Sequence, residues 1–186
     1  MKKTQFSIRI RKCATEVGRR GVCALGKLYD LTAPRLVRYA LMLTRNREDA
    51  EDALQAAMVR IALNPRVLAN ARYPWAYFLK IVRNEALNIV RRKKPAQLLT
   101  CCTAVWTDES YLLETADLKQ QVQIALRKLP PSQSEVVVLK IWEEMTFAEI
   151  GEVLGQSPNT AASRYRYALS KLSQHLQPFA DEVLYD

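Results

Sequence analysis

Histidine is almost missing from this chain, and the scarcity closes off much chemistry. His175 is the only histidine and Cys13, Cys23, Cys101 and Cys102 are the only cysteines, so no zinc-type ligand spacing can be assembled. No nucleophile and base pair stands out either, which argues against an enzyme and implies no cofactor or metal. Glycine is also scarce, at 5 in 186 residues, and with the long periodic runs this points to an all-helical chain. Long apolar runs are lacking. Nothing approaches the roughly 20 residues of a membrane span, and Lys2, Lys3, Arg9, Arg11 and Lys12 break up any leader-like stretch. A cytoplasmic protein with no membrane insertion is expected, its thiols reduced and the Cys101-Cys102 pair free in a loop. Gly21 to Leu28 nearly spells a phosphate-binding loop. The residue after Lys27 is leucine, which cannot hold magnesium, and no apolar strand leads into the glycine.

Charge divides the chain in two. Residues 1–99 carry 21 Lys and Arg against 7 Asp and Glu, a net of +14, while residues 100–186 carry 7 against 12, a net of −5. The basic half suits a polyanion through steering and counterion release, whereas the acidic half must rely on a few well-placed cations. The 49% apolar content is enough for two small cores.

From Thr146 to Leu172 the chain writes out a helix-turn-helix. Thr146 and Glu149 have capping-box spacing, Gly155 supplies a left-handed helix end, and Ser157 can cap a second helix with Pro158 at its first position. Ala161, Tyr165, Ala168 and Leu172 form the inward stripe, leaving Asn159, Ser163, Arg164, Arg166 and Lys171 outside. Those side chains suit base edges and phosphates of a major groove. A packed helical hairpin with a solvated basic face is the plainer alternative.

The first half reads as successive helices. Leu28, Leu31, Leu36, Tyr39, Ala40 and Leu43 make one apolar series, with a kink or fresh start expected at Pro34. Asn46 can cap the next helix, whose first turns hold Glu48, Asp49, Glu51 and Asp52 at the favourable end of the dipole. Ala50, Leu54, Ala57 or Met58, and Ile61 are its inward residues, and Asn64-Pro65 stops it; Asp49, Asp52 and Gln55 stand clear of that stripe. A loop of about ten residues then leads to Pro74, long enough to suggest use beyond connection. Pro74 opens a helix to about Arg92 with Trp75, Phe78, Leu79, Val82, Ala86, Ile89 and Val90 on one face. Tyr77, Lys80, Asn84, Asn88 and Arg91 lie on the other, with Arg83 beside them. Rings, amides and cations together, with Tyr73 just before and Arg91-Arg92 at the end, are what holds single-stranded nucleic acid. Residues 1–27 are weakly periodic and read as a flexible or poorly packed basic arm. Beyond Pro95 lies a linker; Leu118, Val122, Leu126 and Leu129 restart helical spacing, Pro130-Pro131 ends it, and Ser132 with Glu135 predicts a further capping box.

This series resembles the extracytoplasmic-function branch of the sigma-70 superfamily, bacterial sigma factors with regions 2 and 4 only. The resemblance is carried by Leu28-Tyr29-Asp30, Ala33-Pro34-Arg35-Leu36, Arg47 to Asp52 with Gln55, Trp75 and Phe78 through Arg83-Asn84, Arg91-Arg92, Leu129-Pro130, and Thr146 to Leu172. It implies two small helical bundles joined by a flexible linker, the second containing the helix-turn-helix. The implied divisions are a basic arm over 1–27, a region 2-like domain over 28–94, a linker over 95–117, a region 4-like domain over 118–177 and a tail over 178–186. It further implies core RNA polymerase as partner, through the β′ clamp helices and the β flap, promoter DNA, and an anti-sigma factor. The acidic linker would thread toward the polymerase cleft as a mimic of nucleic acid. Asp49, Asp52 and Gln55 would dock on core polymerase. Tyr73, Tyr77, Lys80, Arg83, Asn84, Asn88, Arg91 and Arg92 would hold the melted −10 strand, and Ser157, Asn159, Thr160, Ser163, Arg164, Arg166 and Tyr167 would read the −35 duplex. The chain departs from the family at Ala56 and Met58, where a glutamate and an aromatic are usual, and at Pro158-Asn159, Ala162 and Tyr167 around the recognition helix. A repressor or activator with a similar helix-turn-helix is the rival reading. It would need a dimerisation surface and an effector pocket, and the first half suggests neither.

Overall fold

The computed structural model describes residues 2–93, 122 and 124–185, all of it helices and the turns between them. It divides into two compact units. The first contains α1 (Lys2–Arg20), a 3-10 turn (Gly21–Ala24), α2 (Leu25–Thr44), α3 (Arg47–Leu63), α4 (Pro65–Asn70) and α5 (Pro74–Lys93). Its centre is where α2, α3 and α5 meet, around Leu28, Leu36, Tyr39, Leu54, Ile61, Phe78, Leu79 and Val82, all buried. The expected inward residues of α3 are inside, joined by Ala53, while Met58 is only half-buried. Asn46 begins α3 as anticipated, its side chain accepting from the Asp49 N–H.

Three expectations are corrected. The basic arm is a helix: Ile10, Ala14 and Val17 are buried, and α1 packs on α4 and also touches α2 and α5. Its cations concealed a stripe at spacings of four and three residues, which is enough to dock a helix when a partner surface exists. The loop expected before Pro74 contains α4, whose first position is Pro65, where a proline needs no N–H partner. Pro34 does not start a fresh helix, since α2 runs through it from Leu25 to Thr44. Pro34 and Asp30 are both exposed, and Pro34 has no N–H to give the Asp30 carbonyl. Cys13 is half-buried on α1, and burial, reinforced by Glu16, raises its thiol pKa, away from the thiolate a redox centre needs.

In the second unit residues 124–128 are helical, followed by α6 (Pro131–Ile141), α7 (Phe147–Leu154) and α8 (Pro158–Tyr185). Ala125, Leu126, Leu129, Val137, Ala168 and Leu172 form its core, with Val122, Trp142, Tyr165 and Leu176 packed around them. The capping box expected from Ser132 does not form. Pro131 already has the backbone angle of a first helical position, so Pro130 becomes the cap, its carbonyl accepting from Gln133 and Ser134, and Glu135 turns into the interior. The helix carrying Leu172 passes the boundary expected at 177 and continues to Tyr185, so residues 178–185 are no separate tail. The linker expected over 95–117 lies outside the described residues. Among those residues no helix is long and apolar enough to cross a membrane.

Gly18 shows how tightly α1 is seated. A Cβ built there would lie 2.5 Å from Cβ of Ala69 in α4, whereas one at Gly26 would meet nothing within 4 Å. Gly18→Ala should therefore destabilise the chain by about 1–3 kcal/mol through overpacking. Gly26→Ala, with no such contact, should stabilise it by about 0.5–1 kcal/mol. Urea titrations followed by circular dichroism should show the two midpoints moving in opposite directions.

Candidate nucleic-acid and partner interfaces

Helix α5 is amphipathic because four other helices press on it. Trp75, Ala76, Phe78, Leu79, Ile81, Val82 and Ala86 are buried, a wider face than periodicity alone suggests, since α1, α2, α3 and α4 all touch this helix. The opposite stripe stays open. Asn84 and Arg91 are exposed and Tyr77, Lys80 and Asn88 half-buried along one line, with Arg83 and Arg92 on its two flanks. Trp75 and Phe78 are therefore core: Phe6 of α1 meets Trp75 edge-on at 5.2 Å, Trp75 meets Phe78 at 6.5 Å, and the Arg35 guanidinium lies 4.1 Å from the Phe6 ring. Tyr73 stands at the helix entrance, half-buried, with the Arg72 guanidinium 5.2 Å over its ring. Arg11 of α1 donates to the Arg72 carbonyl at 2.8 Å and so holds that entrance in place. Arg72, Arg11 and Phe6 were not anticipated, and only their nearness to Tyr73 or to a hidden apolar stripe could have flagged them.

The three docking residues expected on α3, Asp49, Asp52 and Gln55, do not share one environment. Asp52 and Gln55 are exposed, but Asp49 is buried, and its carboxylate is ion-paired with the Lys93 ammonium at the end of α5. Asp49 thus ties α3 to α5 and is turned away from solvent. Along the outer line of α3, Glu48, Asp52, Gln55, Ala56, Val59 and Leu63 follow one another, acidic at the start and apolar at the end, with Val59 58% and Leu63 74% exposed. A second tie, Arg60 to Glu85 at 2.7 Å, fixes the other end of α3 against α5. Two kinds of surface, one acidic-apolar and one cationic-aromatic, are therefore held in a fixed relation.

In the second unit the helix-turn-helix forms as spelled. Thr146 Oγ1 accepts from the Glu149 N–H at 3.3 Å while the Glu149 carboxylate accepts from the Thr146 N–H at 2.7 Å. Gly155 ends α7 at φ 66°, and Ser157 Oγ accepts from the Thr160 N–H at 3.1 Å to begin α8. Ala161, Ala168 and Leu172 are buried and Tyr165 half-buried, its ring tilted against Phe147 at 5.8 Å. That geometry places Asn159, Ser163 and Arg166 opposite the buried stripe, with Thr160 and the 67%-exposed Tyr167 beside them. Arg166 donates weakly to Ser163 Oγ at 3.4 Å. Arg164 is half-buried on the flank, and the hydroxyls of Ser157 and Thr160 are partly used on each other at 2.8 Å.

Comparison with known proteins gives the following. Residues 28–95 match the family Sigma-70 region 2, and residues 119–172 match Sigma-70, region 4. The RNA polymerase sigma-E factor of Streptomyces avermitilis is 31% identical over 142 residues, spanning 76% of this chain and 79% of that protein. The ECF RNA polymerase sigma factor SigW of Bacillus subtilis is 25% identical over 182 residues, spanning 90% and 97%. Among solved structures, the sigma factor RpoE in complex with the anti-sigma factor NepR from Bartonella quintana shares the fold. Its TM-score is 0.68 at 20% identity, over 84% of this chain and 98% of that one.

The Asp49 tie has a measurable consequence. Lys93→Ala leaves a carboxylate buried without its cation and should cost about 1–3 kcal/mol in a urea titration. Arg47→Ala breaks only the exposed pair with Glu51 on the same helix, and should change stability by less than about 0.5 kcal/mol.

Proposed function

The chain belongs to the sigma-70 superfamily, to the extracytoplasmic-function sigma factors that carry regions 2 and 4 only, and from this premise we propose how its surfaces divide the work of transcription initiation. It is a sigma factor, not an enzyme: it binds core RNA polymerase and directs it to promoter DNA. The observation that carries the division is the presence, in one chain, of an open cationic-aromatic stripe on α5, an acidic-apolar line on α3, and a capped helix-turn-helix.

Residues 28–94 are the docking and −10 part and residues 118–177 the −35 part, joined through 95–117. Asp52 and Gln55 meet the β′ clamp helices, with Val59 and Leu63 supplying apolar contact in place of the family's glutamate and aromatic after Gln55. Asp49 serves this surface indirectly, by fixing α3 on α5. Tyr73, Tyr77, Lys80, Arg83, Asn84, Asn88, Arg91 and Arg92 hold the melted −10 strand, rings and amides on bases and cations on phosphates. The second unit contacts the β flap and reads the −35 duplex. There Asn159, Ser163, Arg166 and Tyr167 face base edges, while Ser157, Thr160 and Arg164 lie where phosphates run. The work is cytoplasmic, where the polymerase is. An anti-sigma factor is a further partner class, by analogy with the Bartonella quintana complex.

Core polymerase supplemented with this chain should initiate at a discrete set of promoters, mapped by their transcription starts. Asp52→Lys should abolish co-purification with core polymerase at physiological salt while leaving the helical circular dichroism intact; retained binding would remove α3 from the docking surface. On the mapped −35 duplex, Arg166→Ala should cost about 1–3 kcal/mol and relax specificity at one base pair. Arg164→Ala should weaken all sequences alike and flatten the salt dependence. The opposite pattern would mean that α8 enters the groove rotated from this assignment.

A further inference from the structure

The three residues between α4 and α5 bring Arg72, exposed, and Tyr73, half-buried, to the surface on a backbone that is held at each step. The Ala71 N–H donates to the Leu68 carbonyl of α4 at 3.3 Å, and the Tyr73 carbonyl accepts from the Tyr77 N–H of α5 at 2.9 Å. Between them the Arg72 carbonyl belongs to neither helix. Its donor is the Arg11 guanidinium of α1, 61 residues earlier, at 2.8 Å. A cationic donor makes a stronger hydrogen bond than a neutral one. Because a peptide is planar, holding that carbonyl fixes the whole unit joining Arg72 to Tyr73. The Arg72 guanidinium lies 5.2 Å over the Tyr73 ring, so the two side chains form one stack that starts from this peptide.

The rest of α1 makes the anchor firm. Ile10, Ala14 and Val17 are buried, Gly18 sits against Ala69 of α4, and Phe6 meets Trp75 in the first turn of α5. Helix α1 thus grips the chain on both sides of the junction as well as at it, although the match to Sigma-70 region 2 begins only at residue 28. That packing seats α1 without Arg11, which is exposed. What the Arg11 bond adds is the setting of one peptide. We propose that Arg11 is a positioning residue for promoter choice: by holding the peptide between Arg72 and Tyr73 it presets their stack for one base of the −10 strand, and does so without touching DNA. A ring already in place loses less freedom when a base stacks on it, so a base that suits the preset position gains over the other three. Without the bond the junction accepts bases more evenly. This assignment rests on the reading of Tyr73 as part of the −10 strand site.

The test uses full-length chain, saturating in reconstituted holoenzyme, and fork DNA from the mapped promoter with its −10 non-template strand single. Each −10 base is replaced in turn, and discrimination is the ratio of affinities for the mapped and the replaced fork. Tyr73→Ala should lower discrimination at one position. Arg11→Met, which keeps the length of the stem but not the donor, should lower it at that same position by roughly threefold to tenfold, the loss of about one hydrogen bond. Arg11→Lys, which keeps a cationic donor, should restore most of it. R11M/Y73A should discriminate no worse than Y73A, since Arg11 acts through that ring. The slope of log affinity against log salt should be unchanged in R11M. A change in Y73A but not in R11M would overturn the positioning role and leave the Tyr73 site standing, and no change in either would overturn both. A slope shallower by about 0.7 in R11M, with discrimination intact, would make Arg11 a direct phosphate contact and the proposal wrong. Equal weakening on every fork, with a lowered melting temperature by circular dichroism, would reduce the bond to a structural one and overturn the proposal as well.

Discussion

Everything in the first unit depends on α5 being buried on one side only. A helix covered by four neighbours normally becomes apolar all round, and α5 escapes this because α1, α2, α3 and α4 leave one line of it uncovered. Burying Trp75, Phe78, Leu79 and Val82 supplies the largest share of the holding energy, at roughly 1.5–3 kcal/mol for each large apolar side chain. The uncovered line then presents Tyr77, Lys80, Asn84, Asn88 and Arg91 in one row on the side of α5 away from its buried face, where a ligand can reach them.

The two ties between α3 and α5 extend that constraint to a second surface. Arg60 with Glu85 joins one end of the pair and Lys93 with Asp49 the other, so α3 cannot slide on α5 without breaking one of them. The first is partly exposed and worth little by itself. The second has a buried carboxylate, and breaking it would strand that charge. On the proposed assignment, core polymerase docked along α3 would in this way set the position of a strand held on α5. Lys93 follows Arg91 and Arg92 in sequence but not in placement: its ammonium pairs with Asp49 of α3, so a run that reads as uniform phosphate affinity includes one cation engaged in holding the fold, while Arg91 and Arg92 stay exposed.

Much of this was legible because the signals were local. Asn46 before Asp49, Thr146 with Glu149, Gly155, and Ser157 before Pro158 each act within four residues, where spacing and geometry are nearly the same thing. The open line of α5 was legible because helical periodicity separates its two faces. What was not legible depended on partners far along the chain. The inward line of α1 has meaning only once α4 exists to receive Gly18 beside Ala69, and α4 itself is six residues with no periodicity to read. Asp49 looked like its acidic neighbours because its distinguishing partner, Lys93, lies 44 residues away. Ser132 misled for the opposite reason: two local signals competed, and the fixed backbone of Pro131 moved the start of α6 ahead of the serine.

The second half of the chain faces a different electrostatic problem. Of its net −5, residues 100–117 carry −4 and residues 178–186 carry −3, while residues 118–177 hold seven Lys and Arg against five Asp and Glu, a net of only +2 where residues 1–99 carry +14, so bulk charge gives a duplex little attraction there. Affinity there must come from a short list of side chains on α8, and some of the polar groups at its start already hydrogen-bond one another, as Ser157 does Thr160. A weak, selective reader of this kind becomes effective when a stronger, less selective site on the same chain has already engaged the DNA, because the second binding event is then intramolecular and its effective concentration is set by the connection between them. The charge asymmetry fits the proposed division: cations in the first unit would supply attraction that does not depend on sequence, and a near-neutral second part would keep discrimination from being swamped by it.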